Sequence, residues 1–173
     1  MEYFESIGYG VVDIAYHHIL SPQDCNKLRR SDTPASISFR TMPDFIVSNT
    51  EDSFYAELKV GASASKVYLE ALPLMVNQQR ESILHIPCVY IYAGQVTNGS
   101  MVAAYSTDIH PEKLVIPKRN SRIKNIITKT FTCPVEERET RSGTSGDAFV
   151  VIPAEDVRGW LSLENFMQQK TPA

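Results

Sequence analysis

The stretch from Met42 to Gly61, MPDFIVSNTEDSFYAELKVG, limits what this chain can fold into more than any other segment. Two extended runs, Asp44 to Ser48 and Ser53 to Val60, flank Asn49, Thr50, Glu51 and Asp52, residues that favour a turn. With those residues as a hairpin loop, Ser48 pairs with Ser53, Ile46 with Tyr55 and Asp44 with Glu57. Side chains alternate along a strand, so Asp44, Ile46, Ser48, Tyr55, Glu57 and Lys59 share one face. Phe45, Val47, Phe54, Ala56, Leu58 and Val60 share the other, which is wholly apolar and is expected to point into the core. A slip of one residue would bury the charges and expose the apolar set, so the pattern itself specifies the register.

That register sets two acids against each other. Directly opposed cross-strand residues have Cβ atoms about 4.5–5.5 Å apart, and like charges there are destabilising. A hard divalent cation offsets the repulsion, since Mg²⁺ takes one or two carboxylates and keeps several of its waters. Lys59 lies two residues beyond Glu57 on the same face, within reach of such a water. Asp44, Glu57 and Lys59 together therefore suit metal-assisted hydrolysis of a phosphodiester.

The rest of the chain supplies the frame. Tyr3 to Leu20 carries Phe4, Ile7, Val11, Ile14, Ala15 and His18 at helical spacing, and a helix is expected there. Ser21 to Pro34 reads as a loop, Ser36 to Arg40 as a strand, and Ala62 to Gln79 as a helix kinked or restarted at Pro73. Ile86 to Ala93 is almost continuously apolar, the pattern of an interior strand. A strand, a helix and a further strand in that order imply a parallel crossover, right-handed by the general rule. Beyond it, Met101 to Tyr105, Lys113 to Ile116, Ile126 to Phe131 and Ala148 to Ile152 read as short strands, Arg141 to Asp147 as a loop and Glu155 to Gln168 as a closing helix.

Pro43-Asp44, twelve intervening residues, and then Glu57-Leu58-Lys59 resembles the PD-(D/E)xK nuclease superfamily, which includes restriction endonucleases, Holliday-junction resolvases and related phage and repair nucleases. The resemblance covers about the first 95 residues. It implies an α/β, restriction endonuclease-like core with a mixed central sheet of αβββαβ order flanked by helices, extended by C-terminal strands and a closing helix. It implies Asp44 and Glu57 as ligands of Mg²⁺ or Mn²⁺, the Leu58 carbonyl as a further ligand, and Lys59 as the group that orients the attacking water. Many members add an acid from the first helix, for which Glu5 is the leading candidate, with Glu2 and Asp13 behind it. Some relatives place a supporting polar residue near the end of the crossover helix, a position that Gln78 fits. The family analogy further implies DNA as substrate and a homodimer, because two sites serve two strands.

Charge and composition bound the alternatives. A chain of 173 residues with 43% hydrophobic residues is expected to form one domain over 1–173. No run is apolar enough for a membrane span, and Glu2 and Glu5 stand where a secretory leader would carry basic residues, so a cytoplasmic protein without a membrane partner is expected. Three cysteines without a CxxC pair point neither to a disulfide scaffold nor to a zinc site. His17 and His18 point about 100° apart on a helix and are read as packing or surface residues. A net charge of -3 argues against a protein that coats nucleic acid, yet Lys113 to Thr130 holds six basic residues and no acid. That run is either a solvated face or, with a nuclease site nearby, a backbone-contacting surface of Lys118, Arg119, Arg122 and Lys124. Two rivals stand beside a DNA endonuclease: a catalytically silent DNA-binding or assembly module of the same fold, and a related metal-dependent nuclease acting on RNA.

Overall fold

The computed structural model describes residues 2–118, 121–139 and 148–170, with the backbone alone at 121–124. Arg119 and the segment 141–147, read above as a loop, lie outside the described residues.

The first expectation to change is the long N-terminal helix. Gly8 adopts φ +87°, the left-handed conformation that ends helices, and the chain then turns extended. Tyr3 to Leu20 is therefore α1 (Glu2–Ser6), β1 (Gly10–Asp13) and α2 (Tyr16–Ile19). Two helices follow where a loop and a strand were expected, α3 (Pro22–Arg29) and α4 (Pro34–Arg40). Ser21 Oγ accepts the Asp24 N–H at 3.2 Å and Thr33 Oγ1 accepts the Ser36 N–H at 3.3 Å, so both are N-caps. Pro22 and Pro34 occupy the first helical turn, where a missing N–H is harmless.

The hairpin follows as β2 (Phe45–Ser48) and β3 (Ser53–Gly61) in the expected register, Phe45 against Ala56, Ile46 against Tyr55, Val47 against Phe54 and Ser48 against Ser53. Asn49 shapes the turn by accepting the N–H groups of Glu51 and Asp52 on its side-chain oxygen at 2.8 and 2.7 Å. The predicted helix over 62–79 is instead β4 (Lys66–Glu70) and then α5 (Ala71–Leu84), with Pro73 inside the first helical turn and no kink required. His85 in the left-handed region caps α5, and β5 (Cys88–Gly94) returns parallel to β3.

The second half forms β6 (Val102–Tyr105), β7 (Lys113–Pro117), α6 (Ser121–Thr130), β8 (Val135–Arg138), β9 (Phe149–Pro153), α7 (Ala154–Arg158), β10 (Leu161–Ser162) and α8 (Leu163–Lys170). The strand expected over 126–131 is helical because Ile127 and Phe131, one turn apart, enter the same core cluster. The single closing helix is interrupted at Gly159 by the short strand β10.

The strands form two sheets rather than one, a six-stranded sheet in the order β1-β2-β3-β5-β6-β10 and a four-stranded sheet in the order β4-β9-β7-β8. The six-stranded sheet has apolar clusters on both faces. Val47, Phe54, Ala56 and Val89 meet Phe4 of α1 and Phe166 of α8 on one face. On the other, Tyr90 and Tyr92 meet Leu74 of α5, Leu69 of β4 and Val150 of β9. The cover from α1 and α8 stops short of the end of β3, so Leu58 and Val60, expected in the core, are 42% and 88% exposed. No helix of the described residues is long and apolar enough to cross a membrane.

Candidate active site

Continuing the hairpin by one pair beyond Phe45 and Ala56 sets Asp44 against Glu57. Asp44 Oδ2 accepts the Leu58 N–H at 2.9 Å, which holds this acid against the β3 backbone. Glu57 Oε1 lies 2.7 Å from Lys59 Nζ. Glu70, the last residue of β4, brings Oε2 to 3.6 Å from the same ammonium. Sequence reasoning missed Glu70 because residues 66–70 were read as helix. The alternation of KVYLE, with Val67 and Leu69 buried and Tyr68 exposed, was the available signal.

The charged face was expected to be wet, but α5 and the second sheet cover it. Glu57 is only 5% exposed. Burial pushes its pKa up to about 7; Lys59 opposes that rise, while Asp44 and Glu70 add to it. Burial works against the charge on Lys59 as well, but the attraction of Glu57, supported by Glu70 and Asp44, outweighs it and raises the lysine pKa. Two carboxylates, the buried Glu57 and the half-exposed Glu70, thus lie within 3.6 Å of one ammonium, and Asp44 adds a longer-range attraction.

The oxygens of Asp44 and Glu57 with the Leu58 carbonyl are a hard donor set of the kind Mg²⁺ or Mn²⁺ takes while retaining waters. Among the described residues, no group of three or more His, Cys, Asp or Glu side chains converges to hold a metal alone. A site of two carboxylates, one carbonyl and waters needs no such trio, and the residues present fit the ion on that chemistry.

Helix α5 presses a second polar group against the same face. Asn77, wholly buried, donates from Nδ2 to the Tyr90 hydroxyl at 3.2 Å, and Tyr90 pairs with Glu57 across β3 and β5. Arg80 Nη1 donates to Asn77 Oδ1 at 2.7 Å. At the end of the two strands, a Cβ on Gly61 would stand 2.5 Å from the Tyr92 hydroxyl oxygen, so only glycine lets that ring lie over the strand end beside Lys59.

The other predicted site residues lie elsewhere. Glu5 is on α1, whose Phe4 packs on the face of the sheet opposite Glu57. Glu2 shares that helix, and Asp13 is engaged by His18 Nδ1 at 2.7 Å, so of the packing and surface roles expected for that histidine it takes the second. Gln78 donates from Nε2 to the carbonyls of Ser106 and Ile109 at 2.8 and 3.2 Å, so it ties α5 to the turn after β6. Lys118 is exposed at the end of β7, with Nζ 2.7 Å from Glu139 Oε1, while Arg122 and Lys124 belong to α6. That helix packs on α5, with Thr130 Oγ1 donating to Met75 Sδ at 3.2 Å, and so shares the side of the sheet that bears Glu57.

No protein-family model and no curated protein matches this chain. Among solved structures, the fold is similar to that of Hjc, a Holliday junction resolvase from the archaeal hyperthermophile Archaeoglobus fulgidus. The TM-score is 0.50 at 8% sequence identity, over 95% of this chain and 91% of that one.

Proposed function

We propose that the chain, acting as one domain, is a divalent cation-dependent DNA endonuclease whose site is Asp44, Glu57 and Lys59. The observation that carries this reading is the excess of carboxylates around Lys59 on the covered face of β3, at the register of the Pro-Asp and Glu-x-Lys pattern. The resolvase-like fold supports it. Mg²⁺ or Mn²⁺ bound there would supply Lewis acidity, lowering the pKa of water and offsetting charge on the phosphate. Asp44 and Glu57 present the anionic oxygens, and the Leu58 carbonyl completes the donor set. Glu57 would hold the ion as a carboxylate, and burial, which pushes its pKa up to about 7, works against that form. Lys59, held between Glu57 and Glu70, directs an N–H toward the attacking water and toward developing charge on the phosphate.

DNA is bound, in this reading, by Lys118, Arg119, Arg122 and Lys124, and the working unit is a homodimer with one site for each strand. Glu5 and Gln78, proposed from the family pattern, are held to be dispensable for chemistry, since one sits across the sheet and the other is spent on α5 anchoring.

The test is a panel of plasmid, linear duplex, four-way junction, single-stranded DNA and RNA, each with Mn²⁺ or with EDTA. Cleavage of at least one DNA substrate that needs Mn²⁺ is expected, and cleavage restricted to RNA would transfer the assignment to a ribonuclease. No cleavage of any substrate, with DNA binding retained, would leave the silent-module reading in its place.

A further inference from the structure

We propose that Arg80 is a positioning residue for this site. By gripping the connection between α4 and β2, it sets where Asp44 stands relative to Glu57, and therefore how tightly the pair holds a divalent cation. The inference rests on the function proposed above and goes beyond it in naming a residue of α5 whose hydrogen bonds go to Ser38, Thr41 and Asn77 rather than to the proposed site side chains.

Asp44 follows α4 after only Thr41, Met42 and Pro43, so the last turn of that helix and the acid move together. Arg80 takes hold of that turn from α5. Its Nη2 donates to the Ser38 carbonyl at 2.7 Å and its Nη1 to the Thr41 carbonyl at 2.7 Å. The same Nη1 donates to Asn77 Oδ1 at 2.7 Å, and Asn77 in turn reaches the hydroxyl of Tyr90, the residue paired with Glu57. One planar guanidinium thus links the segment that carries Asp44 to the strand beside Glu57. A lysine offers a single nitrogen and cannot span both carbonyls in that fork geometry.

The bonds are not needed to keep α5 in place. On its other side the helix is anchored by Gln78 on the Ser106 and Ile109 carbonyls, and by Glu81, which accepts from Ser106 Oγ at 2.6 Å and from Thr107 Oγ1 at 3.0 Å. Losing Arg80 frees the α4–β2 connection and leaves the helix seated. All three acceptors of Arg80 are neutral oxygens, so its removal unpairs no acid.

The experiment compares the full-length wild type with Arg80→Lys, Arg80→Gln and, as a contrast on the same helix, Glu81→Ala. Three quantities are read: the Mn²⁺ dependence of cleavage, calorimetric Mn²⁺ binding without DNA, and the thermal midpoint. Both Arg80 variants are expected to weaken Mn²⁺ binding by about 10- to 100-fold, as loss of an outer support typically does, and to raise the half-saturating Mn²⁺ concentration equally. At saturating Mn²⁺ their kcat should return to the wild-type range. Glu81→Ala is expected to lower the thermal midpoint with the Mn²⁺ affinity unmoved. Unchanged Mn²⁺ affinity in the Arg80 variants, a kcat loss that saturating Mn²⁺ does not restore, or failure of both variants to fold would each overturn the proposal. A wild type that neither binds Mn²⁺ nor cleaves refutes the proposed function itself, whereas an active wild type with indifferent Arg80 variants refutes this inference alone.

Discussion

Strand β3 and its turn meet a shielded lysine on each face of the sheet, and the two differ in charge balance. The side chain of Lys170, from the end of α8, is 7% exposed, with Nζ 2.7 Å from Asp52 Oδ2 and 4.4 Å from the centre of the Phe54 ring. One ammonium meets one carboxylate and the electron-rich face of a ring, and the account closes. On the opposite face Lys59 stands at the same 2.7 Å from Glu57, but Glu70 is 3.6 Å away and Asp44 opposes Glu57 as well. A third pair, Lys113 to Glu136 at 2.6 Å, is shorter than either and lies on the solvated edge of the second sheet. Bond length therefore says little about role. Burial and the charge left over after pairing distinguish a tether from a candidate site.

The largest separation between the two faces is expected in activity. Lys59→Ala should reduce cleavage by about 100-fold or more, the scale on which a group acting on the reacting water contributes. Lys170→Ala should leave kcat unchanged well below its melting temperature. An equal loss in the two variants, measured on the same DNA substrate, would erase the distinction.

Next comes the pH dependence of stability. Folding raises the Glu57 pKa from 4.5 to about 7, so the folded protein holds this proton more tightly than the unfolded chain. The resulting stability is complete below about pH 4.5 and is lost as the pH rises through 7, a change on the order of 3 kcal/mol. Urea unfolding of wild type and Glu57→Gln across that range should show the glutamine form gaining on the wild type by that amount as the pH rises. A difference that stays flat with pH would mean that burial does not perturb Glu57.

Smaller still is the tether. Lys170→Ala should destabilise the fold by about 1–3 kcal/mol, because Asp52 loses its partner yet keeps access to water. Smallest is the exposed pair: Lys113→Ala should leave the unfolding transition where it is, and a clear drop in midpoint would show that solvated pairs matter more here than their screening allows.

How much of this was legible follows from what sequence encodes locally. The hairpin register was readable because a period of two cannot slip without exposing Val47, Phe54 and Ala56, and those residues are buried as the alternation requires. The placement of Asp44, Glu57 and Lys59 along that hairpin was readable with it. Part of what failed depended on distant elements. Leu58 and Val60 look like core but lie past the reach of α1 and α8, while Glu57 looks like surface but is roofed by α5 and β4. Gly8, Ser21-Pro22 and Thr33-Pro34 are local signals that override apolar spacing; they break one helix and start two others. Arg80 and Asn77 carry no motif at all, and only the packing of α5 across Tyr90 gives them a role.

The most direct test of the central claim is cleavage by wild type and Glu57→Gln, prepared in parallel and assayed on the same DNA substrate with saturating Mn²⁺. Glutamine keeps the size and the hydrogen-bonding oxygen of Glu57 but removes the charge that should bind the ion. Mn²⁺-dependent cleavage by the wild type and none by the folded variant is the expected result. A Glu57→Gln protein that cuts as fast as its parent would contradict the account.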